Sequence, residues 1–167
     1  MFVFDSSTLI LTAKIELLHP FLNDIAMEVA IPKAVEEECC GATKTLDALI
    51  IRKALDEAKI KVRKVRNGKL ITKLVADFNM GRGEAEAIAL ALEEKARIVG
   101  IDDRVGIDAC KLLGLPFTTA IGLLVRSRQK GLIGLDDARF RLSALARYGR
   151  YRKSILDDAL QRLEAAP

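Results

Sequence analysis

Two short apolar runs, far apart in this sequence, each lead directly into acidic residues. Residues 2–4 (FVF) precede Asp5, and residues 97–101 (RIVGI) precede Asp102 and Asp103. Short runs rich in β-branched or aromatic residues are typical of buried parallel strands, and a helical pattern follows each of them. Ligands bind outside the carboxyl ends of the strands in an open α/β sheet. The sequence therefore predicts that Asp5 and Asp102 converge at the ligand-binding edge of one sheet.

Carboxylates gathered at such an edge favour a divalent cation. Like charges raise one another's pKa, and a cation between them removes that electrostatic cost. Hard oxygen ligands suit Mg²⁺ or Mn²⁺, and Mg²⁺ typically uses one or two protein carboxylates together with water and a substrate phosphate. We therefore predict that Asp5 and Asp102 are direct metal ligands in a site for phosphodiester hydrolysis.

The composition is that of an ordinary globular protein. The 167 residues suffice for one domain with a substantial core, and 30% of them are charged. A single histidine and an odd number of cysteines favour neither a zinc site nor a disulfide framework. We see no membrane-length apolar run and no signal-peptide pattern, so we expect a cytoplasmic protein.

Strand-like and helix-like segments alternate along the chain. This alternation predicts an α/β fold with a mostly parallel sheet and helices on both faces. The expected strands lie at residues 1–4, 27–31, 60–65, 96–101 and 115–119.

Three expectations concern the helices. The first helix should span residues 9–18 after a Ser or Thr cap at residues 6–8. Asn23 and Asp24 should mark a break in the chain. A helix at residues 45–58 should carry an apolar face made of Leu46, Leu49, Ile50 and Leu55.

Basic residues cluster in two stretches, and the net charge is +4. One stretch covers residues 59–73, and the other covers residues 126–153, where two tyrosines stand between arginines. Each stretch is explained either by a polyanionic partner or by a solvated helix face, and both explanations stay open. We take Arg147, Arg150 and Arg152 as candidate nucleic-acid contacts.

Four acidic positions stand out as candidates for catalysis. Asp5 and Asp102 end strands, Glu38 or its neighbour Glu37 follows Pro32, and Glu84 opens a helix. Simpler roles exist for three of them. Asp5 could be a helix N-cap, Glu84 could interact with the helix dipole in a first turn, and Glu38 lies in an acidic run on a surface helix.

Four segments carry a resemblance to a known family: residues 3–10 (VFDSSTLI), 31–38 (IPKAVEEE), 83–90 (GEAEAIAL) and 99–104 (VGIDDR). In this order and at this spacing they resemble the successive acidic motifs of PIN-domain proteins. The resemblance covers about residues 1–130, which predicts a PIN-like catalytic domain there. Residues 131–167 would then form a C-terminal helical extension packed on the same domain.

The resemblance implies a three-layer α/β/α sandwich, a Mg²⁺- or Mn²⁺-dependent ribonuclease and, often, a homodimer. Many such proteins are VapC-type toxins held inactive by a cognate antitoxin. If the arginine-rich tail, residues 147–153, serves such a partner or the dimer, the expected contact is a stripe of Leu142, Leu145, Leu156 and Leu160.

Carried over residue by residue, the catalytic quartet is Asp5, Glu38, Glu84 and Asp102. Glu37 could replace Glu38, and Glu86 could replace Glu84. Asp103 could share the role of Asp102, which makes it a third candidate metal ligand. Ser6 and Arg104 lie in the first and last motifs and are candidate nucleic-acid contacts.

Two classes of function remain after the motif search. A nucleotide-binding domain would need a glycine-rich phosphate loop that this chain lacks. The main prediction is a metal-dependent ribonuclease acting on single-stranded RNA. The alternative is a PIN-like RNA- or protein-binding module with weak or no nuclease activity.

Overall fold

The computed structural model describes residues 1–41 and 44–167. Its strands are β1 (Phe2–Phe4), β2 (Val29–Pro32), β3 (Lys61–Arg63), β4 (Ile98–Gly100) and β5 (Phe117–Thr118). They form one parallel sheet in the order β3-β2-β1-β4-β5. The strand that carries Asp5 is therefore central, and the strand that leads to Asp102 is its direct neighbour.

Helices cover both faces of this sheet. They are α1 (Ser6–Lys14), α2 (Leu18–Asp24), α3 (Lys33–Cys40), α4 (Leu46–Asp56), α5 (Gly68–Phe78), α6 (Arg82–Glu93), α7 (Arg104–Leu112), α8 (Ala120–Gln129), α9 (Leu135–Tyr148) and α10 (Lys153–Ala165). The predicted three-layer α/β/α sandwich with a parallel sheet is confirmed.

The alternation of side chains along β1 explains the two helical layers. Phe2 and Phe4 lie in one core cluster with residues of α1, α2, α4, α8, α9 and α10. Val3 lies in a second cluster with residues of α5, α6 and α7. Successive side chains of a strand point to opposite faces, so a continuous apolar run can anchor helices on both sides.

The register of the central strands places the two aspartates side by side. Phe4 of β1 pairs with Gly100 of β4, and the backbone N–H of Asp5 donates to the carbonyl of Gly100 over 2.9 Å. Asp5 is thus the first residue beyond β1, and Asp102 is the second residue beyond β4. Parallel pairing brings both to the carboxyl edge of the sheet.

The first helix differs from its prediction at both ends. It begins at Ser6 because Asp5, rather than a Ser or Thr, is its N-cap, and Asp5 Oδ1 accepts from the Thr8 N–H. It ends at Lys14, and Glu16 then adopts a left-handed φ of 56°. Asn23 and Asp24 do not break the chain but form the end of α2.

The predicted apolar face of α4 was correct at Ile50 and Leu55, which pack against the core, and wrong at Leu46 and Leu49. Leu46 and Leu49 are 67% and 51% exposed, whereas Ala48, Ile51 and Ala54 are buried. These three residues recur every three positions and so share one side of the helix. Two of them are alanines, which allow α4 to lie close against α1.

The C-terminal helices belong to the main core. Leu142 and Leu145 of α9 and Ala159 and Leu163 of α10 are buried in the cluster that contains Phe2 and Phe4. The expected surface stripe was therefore wrong, because two of its four leucines are core residues. No helix in the described ranges is long and apolar enough to cross a membrane.

Candidate active site

Asp5 is a fully buried carboxylate at the end of the central strand. Its Oδ1 accepts from the Thr8 N–H over 2.8 Å, and its Oδ2 accepts from the Ser7 hydroxyl over 2.7 Å. Burial raises the pKa of Asp5 to about 7, although these hydrogen bonds oppose the rise and the charge of Asp102 adds to it. The carboxylate form is thus costly here unless a positive charge approaches.

Asp102 is held from two different parts of the chain. Its Oδ2 accepts from the Ala120 N–H at the start of α8 over 2.8 Å, and its Oδ1 accepts from the Tyr151 hydroxyl over 2.5 Å. Burial raises the pKa of Asp102, and the bonds from Tyr151 and Ala120 oppose that rise. Both donors fix the direction in which this carboxylate points.

Glu38 lies where α1, α3 and α6 approach one another. The Ser6 hydroxyl at the start of α1 donates to Glu38 Oε2. A Cβ added to Gly83 would overlap the Glu38 carboxylate where it now lies, so a larger residue at this position requires that carboxylate to move. The segment before Glu84 is therefore shaped around Glu38.

Glu84 connects this corner with the end of β4. Its Oε2 accepts from the Gly81 N–H over 3.1 Å, an interaction that caps α6. Burial raises the pKa of Glu84, and the negative charges of Asp103 and Glu38 raise it further. The charge of Glu84 is therefore coupled to carboxylates from two other elements.

The alternative glutamates have different surroundings. Glu86 is buried, and its Oε1 accepts from Arg82 Nε over 2.8 Å while its Oε2 accepts from the Ala34 N–H at the start of α3. Its charge is thus paired in a contact that joins α6 to α3. Glu37 is exposed on α3. Glu38 is also exposed, but it differs from Glu37 in accepting from the Ser6 hydroxyl. Glu84 differs from Glu86 in feeling the charges of Asp103 and Glu38. These contacts support Glu38 and Glu84 over their neighbours.

Asp103 and Arg104 lie at the rim of the acidic region. Asp103 Oδ1 accepts from the Val105 N–H over 2.7 Å, so this carboxylate caps α7. Arg104 is exposed and reaches Asp108 at 3.9 Å. Asp103 therefore faces solvent, unlike Asp5.

The bond between Tyr151 and Asp102 is the site contact that the sequence did not predict. Tyr151 lies between α9 and α10, and Arg150 and Arg152 are its exposed neighbours in the chain. Adjacent Cα atoms are about 3.8 Å apart, so the Tyr151–Asp102 bond brings this part of the arginine-rich tail close to the acidic residues. Arg147 is exposed in the last turn of α9. The sequence signal at Tyr151 is its position between two arginines, which indicates a surface for a polyanion and not a contact with Asp102.

The first basic stretch is largely neutralised by nearby acids. Lys61 and Arg63 both pair with Glu28 at 2.7 Å, and Arg66 reaches Glu94 at 3.2 Å. The second stretch is also paired at Lys130, Arg139, Arg141 and Lys153. In the described ranges, no such ion pair forms at Arg147, Arg150 or Arg152. The tail is therefore the stronger candidate for binding a polyanion.

The donor set agrees with a hard divalent cation but does not form a complete cage. Within residues 1–41 and 44–167, no group of three or more His, Cys, Asp or Glu side chains is arranged to hold a metal ion. Asp5 supplies a buried carboxylate and Asp102 a half-buried one, and Thr8 Oγ1 beside them is buried without a hydrogen-bond partner in the described structure. Two carboxylates completed by water and phosphate oxygens suit Mg²⁺.

Comparison with known families agrees with this geometry. The family model DUF3368, described as a PIN domain, matches residues 1–165, which include the acidic residues and Tyr151. No curated protein matches the chain. PIN domains are generally nucleases and typically use divalent metals. Because this match covers nearly the whole sequence, the chain belongs to the PIN-domain family.

Proposed function

We propose that this protein is a Mg²⁺- or Mn²⁺-dependent ribonuclease that hydrolyses phosphodiester bonds of single-stranded RNA. The observation that carries the proposal is the pair of carboxylates at the ends of β1 and β4. Asp5 is fully buried there with its pKa raised to about 7, and Asp102 contributes to that rise. A carboxyl group whose charged form is this unfavourable often has a functional role.

The two aspartates would hold the cation. Each of their oxygens accepts one described hydrogen bond, and a carboxylate oxygen has a second lone pair for another ligand. A divalent cation, when bound, neutralises charge on the phosphate and makes water more acidic. Asp103 is a third proposed ligand, within reach of the same edge through its position next to Asp102.

Glu38 and Glu84 complete the proposed catalytic quartet. Glu38 is exposed and Glu84 is half-buried, so both can reach water that approaches the aspartates. Each can orient such a water by accepting its hydrogen bond. The Ser6 hydroxyl orients Glu38 and retains acceptor capacity for an RNA hydroxyl group.

Exposed arginines at the rim would bind the RNA backbone. Arg150 and Arg152 flank the tyrosine that contacts Asp102, and Arg147 and Arg104 extend the positive rim. Guanidinium groups bind phosphate through paired hydrogen bonds. We propose these contacts, together with Ser6, as the RNA-binding residues.

The biological setting extends the proposal. The resemblance to VapC-type proteins leads us to propose a cytoplasmic homodimer that serves as the toxin of a toxin–antitoxin pair. Light scattering of the purified chain at twice the monomer mass would support the dimer. A small antitoxin gene beside the coding gene, whose product blocks cleavage, would support the toxin role, and its absence would favour a housekeeping ribonuclease.

The decisive test is cleavage of labelled single-stranded RNA by the purified protein. We expect cleavage with Mg²⁺ or Mn²⁺, none with a chelator, and loss of most of the activity in a folded Asp5→Asn variant. RNA binding without metal-dependent cleavage would contradict the proposal and support a PIN-like binding module instead.

A further inference from the structure

We infer that Tyr151 is a positioning residue for Asp102, and that the joint between α9 and α10 is consequently part of the active site. This inference rests on the ribonuclease function proposed above. It assigns a role to residues 131–167 beyond packing on the domain at residues 1–130.

The two donors to Asp102 fix its orientation between them. The Tyr151 hydroxyl bonds Oδ1, and the Ala120 N–H bonds Oδ2. Because the donors bind different oxygens, rotation of the carboxylate about its bond to Cβ breaks at least one hydrogen bond. Each oxygen keeps a lone pair for another ligand. Asp102 is thus held in one orientation, and both of its oxygens can still accept a metal ion or a hydrogen bond.

The chain around Tyr151 is built to bring its ring to this place. Gly149 ends α9, and its N–H donates to the Leu145 carbonyl over 2.7 Å. A Cβ at Gly149 would come within 2.3 Å of the Tyr151 ring, so glycine is needed for the ring to fold back there. Beyond the ring, Arg152 is the N-cap of α10.

Both flanking helices are anchored in the protein core. Leu145, near the end of α9, and Ala159 and Leu163 of α10 are fully buried. The joint therefore has little freedom at either side, and the phenol is presented to Asp102 from a rigid support. Hydrogen-bonding partners of metal ligands orient those ligands, and their loss typically weakens metal binding or activity about 10- to 100-fold.

The closest available comparison is between the two tyrosines of the chain. Tyr151→Phe removes the hydroxyl that contacts Asp102 and keeps the ring. Tyr148→Phe removes a hydroxyl three positions away, on a half-exposed ring that lies beneath Lys14 Nζ at 5.2 Å. The sequence contains two tyrosines and no tryptophan, so tyrosine signals are assigned directly from these two variants.

The primary measurement is Mn²⁺ affinity by titration calorimetry on the full chain. We expect Tyr151→Phe to bind Mn²⁺ about 10- to 100-fold more weakly and to lower kcat, with the KM for RNA changed less than about twofold. Tyr148→Phe should match the wild type in both respects. Unchanged Mn²⁺ affinity and kcat in a folded Tyr151→Phe protein would overturn the inference.

A second variant covers the case in which Tyr151→Phe is unstable. Gly149→Ala keeps the hydroxyl but displaces the ring, so we expect the same loss of Mn²⁺ affinity. Wild-type affinity in Gly149→Ala would contradict the inference.

Failure of the inference can be told apart from failure of the proposed function. With ¹³Cζ-labelled tyrosine, the NMR signal of Tyr151 should move in Asp102→Asn and on addition of the diamagnetic ion Mg²⁺, while that of Tyr148 stays in place. An unmoved Tyr151 signal in a protein that binds Mn²⁺ and cleaves RNA would overturn the positioning role alone. A wild-type protein that neither binds Mn²⁺ nor cleaves RNA would overturn both.

Discussion

At the scale of single residues, the acidic side chains fall into two kinds. Asp5 and Asp102 are withdrawn from water, and burial raises the pKa of both. Glu86 also lies in one of the acidic motifs, but it is paired with Arg82 and accepts a hydrogen bond from the backbone of α3. Surroundings rather than residue type therefore distinguish the candidate ligands from a structural carboxylate.

The raised pKa of Asp5 predicts how stability changes with pH when a chelator keeps the protein free of metal. The folded state keeps a proton on Asp5 up to a pH of about 7, whereas the unfolded chain releases it near its ordinary value of 3.8. Between these values the folded state binds more protons, so the free energy of unfolding falls as the pH rises. The raised pKa values of Asp102 and Glu84 act in the same direction.

Urea unfolding across this pH range measures the effect. Asp5→Asn cannot ionise, so its stability should vary less with pH than that of the wild type. An equally steep loss of stability in Asp5→Asn would contradict the assigned pKa.

Paired substitutions test which glutamates react. Glu38→Gln and Glu84→Gln should lower the RNA cleavage rate by about 10- to 100-fold, whereas Glu37→Gln on the exposed side of α3 should leave it nearly unchanged. Glu86→Gln weakens a buried contact to Arg82, so it should mainly cost about 1–3 kcal/mol of stability. A larger rate loss in Glu37→Gln than in Glu38→Gln would show that the assigned glutamate is wrong.

At the scale of elements, Gly83 at the start of α6 leaves space for the Glu38 carboxylate of α3. In Gly83→Ala the new Cβ would collide with Glu38, so we expect a displaced carboxylate and a several-fold lower cleavage rate in a folded protein. Gly68→Ala is the control, because a Cβ there meets no atom within 4 Å. Equal cleavage rates for the two variants would argue against a role for the Glu38 position.

The sequence predicted the elements that have strong local signals. The short apolar strands could be predicted from their composition and from the alternation of strand-like and helix-like segments. The strands in turn predict which acidic residues lie at the carboxyl edge of the sheet. The buried face of α4 could not be predicted in this way. Ala48 and Ala54 pack against α1, and the larger Leu46 and Leu49 are left exposed. The predicted start of α1 was wrong, because Ser or Thr at residues 6–8 is about as favourable at an N-cap as Asp5, which takes that role.

The contact between Tyr151 and Asp102 could not be predicted from sequence spacing. The two residues are 49 positions apart, and their approach depends on how α8, α9 and α10 pack together. The packing of these helices leaves no periodic pattern in the sequence from which the Tyr151 hydroxyl could be identified as the partner of the Asp102 carboxylate.

At the scale of the whole molecule, positive charge is distributed unevenly around the acidic edge. Neutralising Arg147, Arg150 and Arg152 to Gln should weaken RNA binding and flatten its dependence on salt. Fewer arginine contacts release fewer counterions, and the logarithmic slope should fall by about 2 if all three contact phosphates. Mn²⁺ affinity should not change. Filter binding across a salt series checks this expectation.

A matched triple variant controls for net charge alone. Lys95 and Arg97 precede β4 at the opposite edge of the sheet, and Arg126 is exposed on α8, where it lines the same cleft as Arg97. Replacing these three with Gln removes the same charge and should leave the slope nearly unchanged. Equal effects of the two triple variants would mean that the tail has no special role in binding RNA.

The central claim is that Asp5 and Asp102 form a metal-dependent centre for RNA cleavage. The most direct measurement is the cleavage rate of single-stranded RNA as a function of Mn²⁺ concentration, for the wild type and for Asp5→Asn and Asp102→Asn variants shown by circular dichroism to be folded. We predict saturable, Mn²⁺-dependent cleavage by the wild type and loss of most activity in each variant. Cleavage that is independent of Mn²⁺, or that persists at the wild-type rate in both folded variants, would contradict the claim.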